Sequence, residues 1–126
     1  MSSLEGFDDR IAPSLGQSEA RVLRSFARQA RAMLGERIER IVLFGSRARG
    51  DARSESDMDV AVIVRAPAGA ESTFRRALRE IASEAELAEP GAVPISLLVL
   101  SAETFADLER RERRVARDIT GEGISL

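Results

Sequence analysis

Asp57 and Asp59, one residue apart at the head of the apolar run Val60-Ala61-Val62-Ile63-Val64, are the side chains in this sequence best suited to chemistry. Side chains alternate along a strand, so both carboxylates point to one face while Met58 points to the other. Their Cα atoms then lie roughly 6.6 Å apart, twice the rise per residue. Two unit charges at that separation repel by about 2–3 kcal/mol at an effective dielectric near 20. A cation between them removes that cost. Magnesium suits the pair, because it takes oxygen ligands, keeps several waters and binds through one or two carboxylates plus substrate phosphates.

A matching cradle for phosphates precedes the pair. A second apolar run, Ile41-Val42-Leu43-Phe44, ends in Gly45-Ser46-Arg47-Ala48-Arg49, and ten residues separate Ser46 from Asp57. Gly45 lets one stretch of backbone approach another, and the residues after it can form a helical turn whose free amides face an anion. Ser46 adds a hydroxyl, and Arg47 and Arg49 add positive charge. The same residues also fit a plainer arrangement, a turn rich in Gly, Ser and Asp between two core strands, with solvated aspartates capping the second.

Gly-Ser, ten intervening residues and Asp-x-Asp, with an apolar strand on each side, resembles the minimal nucleotidyltransferases of the DNA polymerase β superfamily. The resemblance implies a polymerase-β-like nucleotidyltransferase fold and a reaction that moves AMP from ATP to a hydroxyl acceptor with release of pyrophosphate. It implies that Asp57 and Asp59 are the catalytic residues and bind Mg2+, that Gly45 and Ser46 hold the triphosphate, and that Arg47 or Arg49 neutralises phosphate charge. It also implies a partner: minimal members often pair with a HEPN-family protein in toxin–antitoxin modules, as the antitoxin, and can adenylylate a tyrosine of that partner. The present sequence has no Tyr of its own to modify and no His for the Arg and His motif of HEPN ribonucleases.

One departure from the family pattern bears on catalysis. Many catalytic members carry a third carboxylate on a later strand, and the position that aligns with it here is Ser96, within Val93-Pro94-Ile95-Ser96-Leu97-Leu98-Val99-Leu100. Serine is a poor base and a poor magnesium ligand. Three readings follow: another acid substitutes, with Asp51 or Glu103 as candidates; or catalysis is slow; or the chain is a nucleotide-binding module that neutralises or scaffolds a partner without turnover.

Composition narrows the chemistry further. The 126 residues suffice for one core, with no room for a separate domain that recognises an acceptor. With no Cys, His or Lys, thiol nucleophiles, imidazole bases, the usual zinc sites, Schiff bases and the P-loop lysine are all excluded. Acid–base and metal chemistry falls to carboxylates, as magnesium-dependent phosphoryl transfer requires. The net charge of −2 gives no general support for nucleic-acid binding. No apolar run reaches the roughly 18 residues of a membrane span, and no basic leader precedes an apolar stretch. A cytoplasmic protein is expected, and a homo-oligomer is compatible with the sequence.

The elements that must position the site are legible in turn. Residues 1–16 lack periodicity and read as a flexible arm before a domain over 17–126. A helix is expected over Ser18 to Leu34, with Val22, Leu23, Phe26, Ala27, Ala30, Met33 and Leu34 on its apolar face and Gly35 as C-cap. Strands are expected over Ile38–Phe44, Asp57–Val64 and Pro94–Leu100, the second of them central because both its faces turn apolar after Asp59. A helix over Glu71–Leu87 separates the second and third strands. Ser101 should cap a last helical region, which the charged run Glu109-Arg110-Arg111-Glu112-Arg113-Arg114 breaks into a kink or two short helices, and a short strand can end the chain. The fold class is α/β: a small mixed β-sheet with packed helices.

Overall fold

Strand β2 (Met58–Val64) is buried at every position except Asp59, which is half-buried, because the residues after Asp59 are all apolar and both faces of the strand are covered. The computed structural model describes residues 16–50 and 56–126. The arm expected over 1–16 lies outside the described residues except for Gly16, as do residues 51–55 ahead of β2. In chain order the elements are α1 (Gln17–Leu34), β1 (Ile38–Phe44), α2 (Ser46–Arg49), β2, α3 (Glu71–Leu87), β3 (Ile95–Ser101), α4 (Ala102–Arg110), α5 (Arg114–Arg117) and β4 (Ile124–Ser125).

The described strands form one mixed sheet in the order β3-β2-β1-β4. β1 runs antiparallel to β2 and β4, whereas β2 and β3 are parallel. A parallel pair needs a long crossover, and α3 supplies it. The sheet thus has two central strands, and their polar ends meet where β1 leaves and β2 begins.

Alternation along β2 divides the core. Met58, Val60, Val62 and Val64 face α1 and α3, joining Val22, Leu23, Phe26, Leu78, Ile81 and Ala82 in one cluster. Ala61 and Ile63 face the other way, with Val42, against Phe105, Ala116 and Ile119 from the C-terminal segment. Phe26 is fully buried, so cutting it to Ala should cost about 3–5 kcal/mol. Arg40 lies over the Phe105 ring at 5.7 Å on the second face. Among the described residues no helix is long and apolar enough to cross a membrane.

Two local features differ from, or sharpen, the expectation. Met33, placed by spacing on the apolar face of α1, is 68% exposed. The last turn of the helix runs past Ala30, its final buried residue, and only Leu34 of that turn still packs on the core. The charged run breaks the C-terminal helix as expected, by a specific device: Glu112 takes φ 53°, its N–H donates to Glu109 O at 3.0 Å, and Arg113 N–H donates to Leu108 O at 3.0 Å. That is a Schellman closure with glutamate where glycine is usual. Ser101 caps α4 as expected, its Oγ accepting from Thr104 N–H at 3.0 Å.

Candidate active site

Phe44 ends β1 directly opposite Asp59, so the residue after Phe44 must pass the carboxylate. Gly45 does so with φ 76° and ψ −156°, and a Cβ built on it would stand 2.5 Å from Asp59 Oδ2. Both the backbone conformation and the missing side chain are therefore required there. The chain then turns into α2, where Ala48 and Arg49 N–H both donate to Gly45 O at 3.1 Å and Gly50 N–H donates to Ser46 O at 2.9 Å. Ser46 opens this turn beside the aspartate, and the first amides of a helical turn have no partner within it.

Asp59 has a neighbour on each side. Phe44 lies opposite it on β1, and across the parallel ladder its partner is Ser96. Burial pushes the Asp59 carboxyl above the usual carboxylate range, and the charge of Asp57 pushes it further; Arg49 and the Ser96 hydroxyl pull the other way. Asp57 itself is exposed, one residue before the strand begins, and Met58 between them is fully buried on the opposite face. The two carboxylates interact electrostatically, although Asp57 precedes the strand expected to carry both. Among the described residues no group of three or more acidic, His or Cys side chains could hold a metal. A pair of carboxylates, one raised in pKa by burial and by its neighbour, nevertheless fits magnesium, which needs only one or two and draws its other oxygens from phosphate and water.

The two arginines of the turn have separate places. Arg47 is 5% exposed, and its Nε and Nη2 donate to Ser56 O at 3.1 and 2.6 Å. Its guanidinium ties the turn to the approach of β2. Arg49 lies within electrostatic reach of Asp59 and is also 3.6 Å from Glu122. Gly123, next to Glu122, has no room for a Cβ, which would strike Ile119 O and Val42 Cγ1, so the C-terminal turn is seated against β1.

Of the two acids considered as substitutes for a third carboxylate, Asp51 lies outside the described residues. Glu103 is ruled out by topology. Asp59 pairs with Ser96 at the start of β3, Val64 pairs with Ser101 at its end, and Glu103 follows Ser101. Glu103 is therefore at the opposite end of the sheet, on the order of 17 Å away along the strands.

Sequence reasoning missed the residues that brace β3 where it passes Asp59. Glu86 of α3 accepts Ile95 N–H at 2.7 Å, and Arg79, paired with Glu86 at 2.8 Å, donates to Ile95 O at 3.1 Å. Glu19 of α1 accepts Val93 N–H at 2.9 Å, and Met58 N–H donates to Pro94 O at 3.0 Å. Nothing in the sequence sets these charges apart from other helix-surface residues; their role depends on where the crossover places β3.

A mixed sheet whose central strands bring a carboxylate pair and a glycine-serine turn to one end defines an α/β protein. Comparison with known proteins sharpens the class. The family description "Nucleotidyltransferase domain" matches residues 23–125. The chain belongs to that family. It is 39% identical over 44 residues to a Methanocaldococcus jannaschii protein named "Putative protein adenylyltransferase", a match covering 35% of this chain and 44% of that one. The match thus spans less than half the length of that relative. In structure the chain resembles a Sulfolobus solfataricus protein described as "a putative nucleotidyltransferase", with a TM-score of 0.52 and 16% identity, over 99% of this chain and 86% of the other. At that identity the likeness shows the fold.

Proposed function

We propose that this chain transfers AMP from ATP to a hydroxyl acceptor in a magnesium-dependent reaction. The acceptor hydroxyl oxygen attacks the α-phosphorus and gives up its proton to solvent, the bond to the oxygen bridging the α- and β-phosphates breaks, and pyrophosphate leaves. Asp57 and Asp59 would hold the metal, which when bound neutralises charge on the triphosphate. Ser46 and the backbone after Gly45 would bind the triphosphate, with Arg49 supplying positive charge at the same end. Arg47 contributes by fixing the turn.

The observation that carries this reading is the apposition of Gly45 and Asp59. The turn that would cradle phosphate touches the side chain that would hold the metal, so both ends of a metal–triphosphate complex meet at one place. The named activity of the archaeal relative, a protein adenylyltransferase, favours a protein acceptor. The finer reading, the antitoxin half of a pair with a HEPN-family protein, follows from the family resemblance.

Incubation with α-32P-labelled ATP, Mg2+ and cell extract tests the proposal. Labelling of an acceptor that disappears in the Asp57→Asn/Asp59→Asn variant supports it. Labelling unchanged by that variant overturns the site.

Ser96 favours a second reading, a nucleotide-binding module that acts on a partner without turnover, since it stands where a carboxylate would serve as base. Under that reading nucleotide binds with metal and no acceptor is labelled.

A further inference from the structure

We propose that the arginine-lined cleft between α1 and α3 is a docking surface for an acidic segment of the protein that accepts AMP. This deepens the proposed nucleotidyl-transfer function and rests on it.

The cleft is lined unequally by its two helices. Arg21, Arg24 and Arg28 of α1 stand along it, Ala85 and Ala88 add little bulk from the α3 side, and the volume between them is about 280 Å3. Arg21 and Arg28 are exposed and Arg24 is half-buried. At i, i+3 and i+7 the three arginines share one side of the helix, over about 10 Å of its length. Like charges at that spacing weaken a helix. Among the described residues lining the cleft, Glu89 is the one acid. The cleft therefore carries an excess of positive charge in a chain whose net charge is −2.

Glu89 shows what these guanidinium groups recognise. Arg21 Nε donates to Glu89 Oε1 at 2.9 Å, and Arg21 Nη2 stands 2.8 Å from the same oxygen. Carboxylates of a partner can engage Arg24 and Arg28, one helical turn further along, by the same charge-assisted hydrogen bonds. A nucleic-acid backbone fits less well, because its closely spaced phosphates would also meet the charge of Glu89. An acidic protein segment can place its carboxylates on the arginines and avoid that glutamate.

Position in the fold assigns this segment to the acceptor. α3 leads into the start of β3, where Ile95 pairs with Met58, whereas α1 leads into the start of β1, where Ile38 pairs with Val64. The C-terminal end of α3 and the N-terminal half of α1 thus lie at the end of the sheet that carries Gly45 and Asp59. A direct contact ties the two places together: Glu19, two residues before Arg21, accepts Val93 N–H at 2.9 Å. Val93 is three residues, about 10 Å, ahead of Ser96, the ladder neighbour of Asp59. A protein seated on the arginines is therefore beside the reacting end, where it can present a hydroxyl.

Fluorescence anisotropy with a labelled Glu-Ala repeat peptide tests the surface, with a Lys-Ala repeat and single-stranded oligouridine as comparisons. The full chain should bind the Glu-Ala peptide in preference to both. Arg24→Gln/Arg28→Gln should bind it about tenfold more weakly, and Arg110→Gln/Arg111→Gln, which removes the same charge elsewhere, should bind it as the wild type does. Circular dichroism and affinity for a non-hydrolysable ATP analogue should be unchanged in both variants. With α-32P-labelled ATP, Mg2+ and cell extract, Arg24→Gln/Arg28→Gln should label the acceptor about tenfold more slowly than the wild type. No binding of the Glu-Ala peptide, equal losses in the two variants, or tighter binding of oligouridine overturns the inference and leaves the proposed function standing. Acceptor labelling unchanged in Arg24→Gln/Arg28→Gln does the same. A wild type that labels no acceptor overturns the proposed function and the inference with it.

Discussion

The carboxylate of Asp59 rests against the α-carbon of Gly45, so closely that a methyl group there would lie 2.5 Å from Oδ2. The turn after β1 and the acid at the head of β2 cannot vary independently. A side chain at residue 45 would displace the carboxylate towards Ser96, its ladder neighbour on the other side.

Gly45→Ala is accordingly expected to act twice. The backbone at φ 76° is strained for any residue with a Cβ, which costs about 1–3 kcal/mol. The methyl group also drives Asp59 from its place. Urea denaturation should show the stability loss, and calorimetric titration with ATP and Mg2+ should show binding lost even under conditions where the variant is fully folded. Normal binding by the folded variant would rule out the contact as a functional one.

Asp59 makes apo-protein stability depend on pH with a definite sign. Its folded-state pKa is raised, first by burial and then by Asp57, so the folded chain binds that proton more tightly than the unfolded chain. The stabilisation from this proton is complete below the ordinary aspartate pKa and is lost as pH rises through the higher folded value. At neutral pH the charged carboxylate therefore weakens the fold until a cation offsets it. Thermal denaturation in EDTA should show Asp59→Asn gaining on the wild type as pH increases from 4 to about 7. With Mg2+ and a non-hydrolysable ATP analogue the order should reverse, because only the wild type can use the metal. A difference between the two proteins that does not vary with pH would refute this account.

Arg47 and Arg49, two residues apart in one turn, should respond differently to mutation. Arg47→Met removes two hydrogen bonds to Ser56 O from a nearly buried guanidinium and should destabilise the chain by about 1–3 kcal/mol. Arg49→Gln touches a partly exposed side chain, so its effect on stability should stay within about 0.5 kcal/mol. Its consequence should fall on nucleotide affinity. Parallel urea melts and ATP titrations of both variants would separate the roles, and equal stability losses would show the division to be mistaken.

The sequence revealed what is local. β1 and α3 match the expected bounds because their apolar spacing is continuous and Gly, Ser or Pro residues punctuate their ends. Ser101 was readable as a cap for the same reason. What stayed hidden depends on register between distant segments. Ser96 can be aligned with a missing acid, but that it neighbours Asp59 across the sheet follows only from the parallel pairing. Glu103 is near Ser96 in sequence, and only the direction of β3 puts it at the far end. The charge of Arg47 is visible in the sequence, but its burial and its hydrogen bonds to Ser56 O are not.

Glu86 provides a test of that hidden support at a distance from the chemistry. Its carboxylate accepts Ile95 N–H and pairs with Arg79, and neither partner touches the nucleotide end of the site directly. Glu86→Ala should cost about 1–2 kcal/mol through the lost charge-assisted hydrogen bond. It should also raise hydrogen exchange at Ile95 and Ser96 well above that of the central strands. If the stability loss came with no local rise in exchange, the brace would be contributing to the fold as a whole and not to the start of β3.

Ser96→Asp examines the same position from the opposite side. Residue 96 lies beside Asp59 in the ladder, about 5 Å away. A new carboxylate there meets two existing ones, and with residue 96 exposed the repulsion should lower apo stability by roughly 1–3 kcal/mol. It also restores to the site an acid able to ligate metal and accept a proton. If the nucleotidyl-transfer reading holds, Mg2+ should recover more stability in Ser96→Asp than in the wild type, and the rate of AMP transfer at saturating ATP should rise at least about tenfold. Thermal melts with and without Mg2+ and single-turnover labelling measure the two effects separately. A variant that loses apo stability but gains neither Mg2+ stabilisation nor rate would mean that residue 96 faces the carboxylate pair without facing the reacting groups.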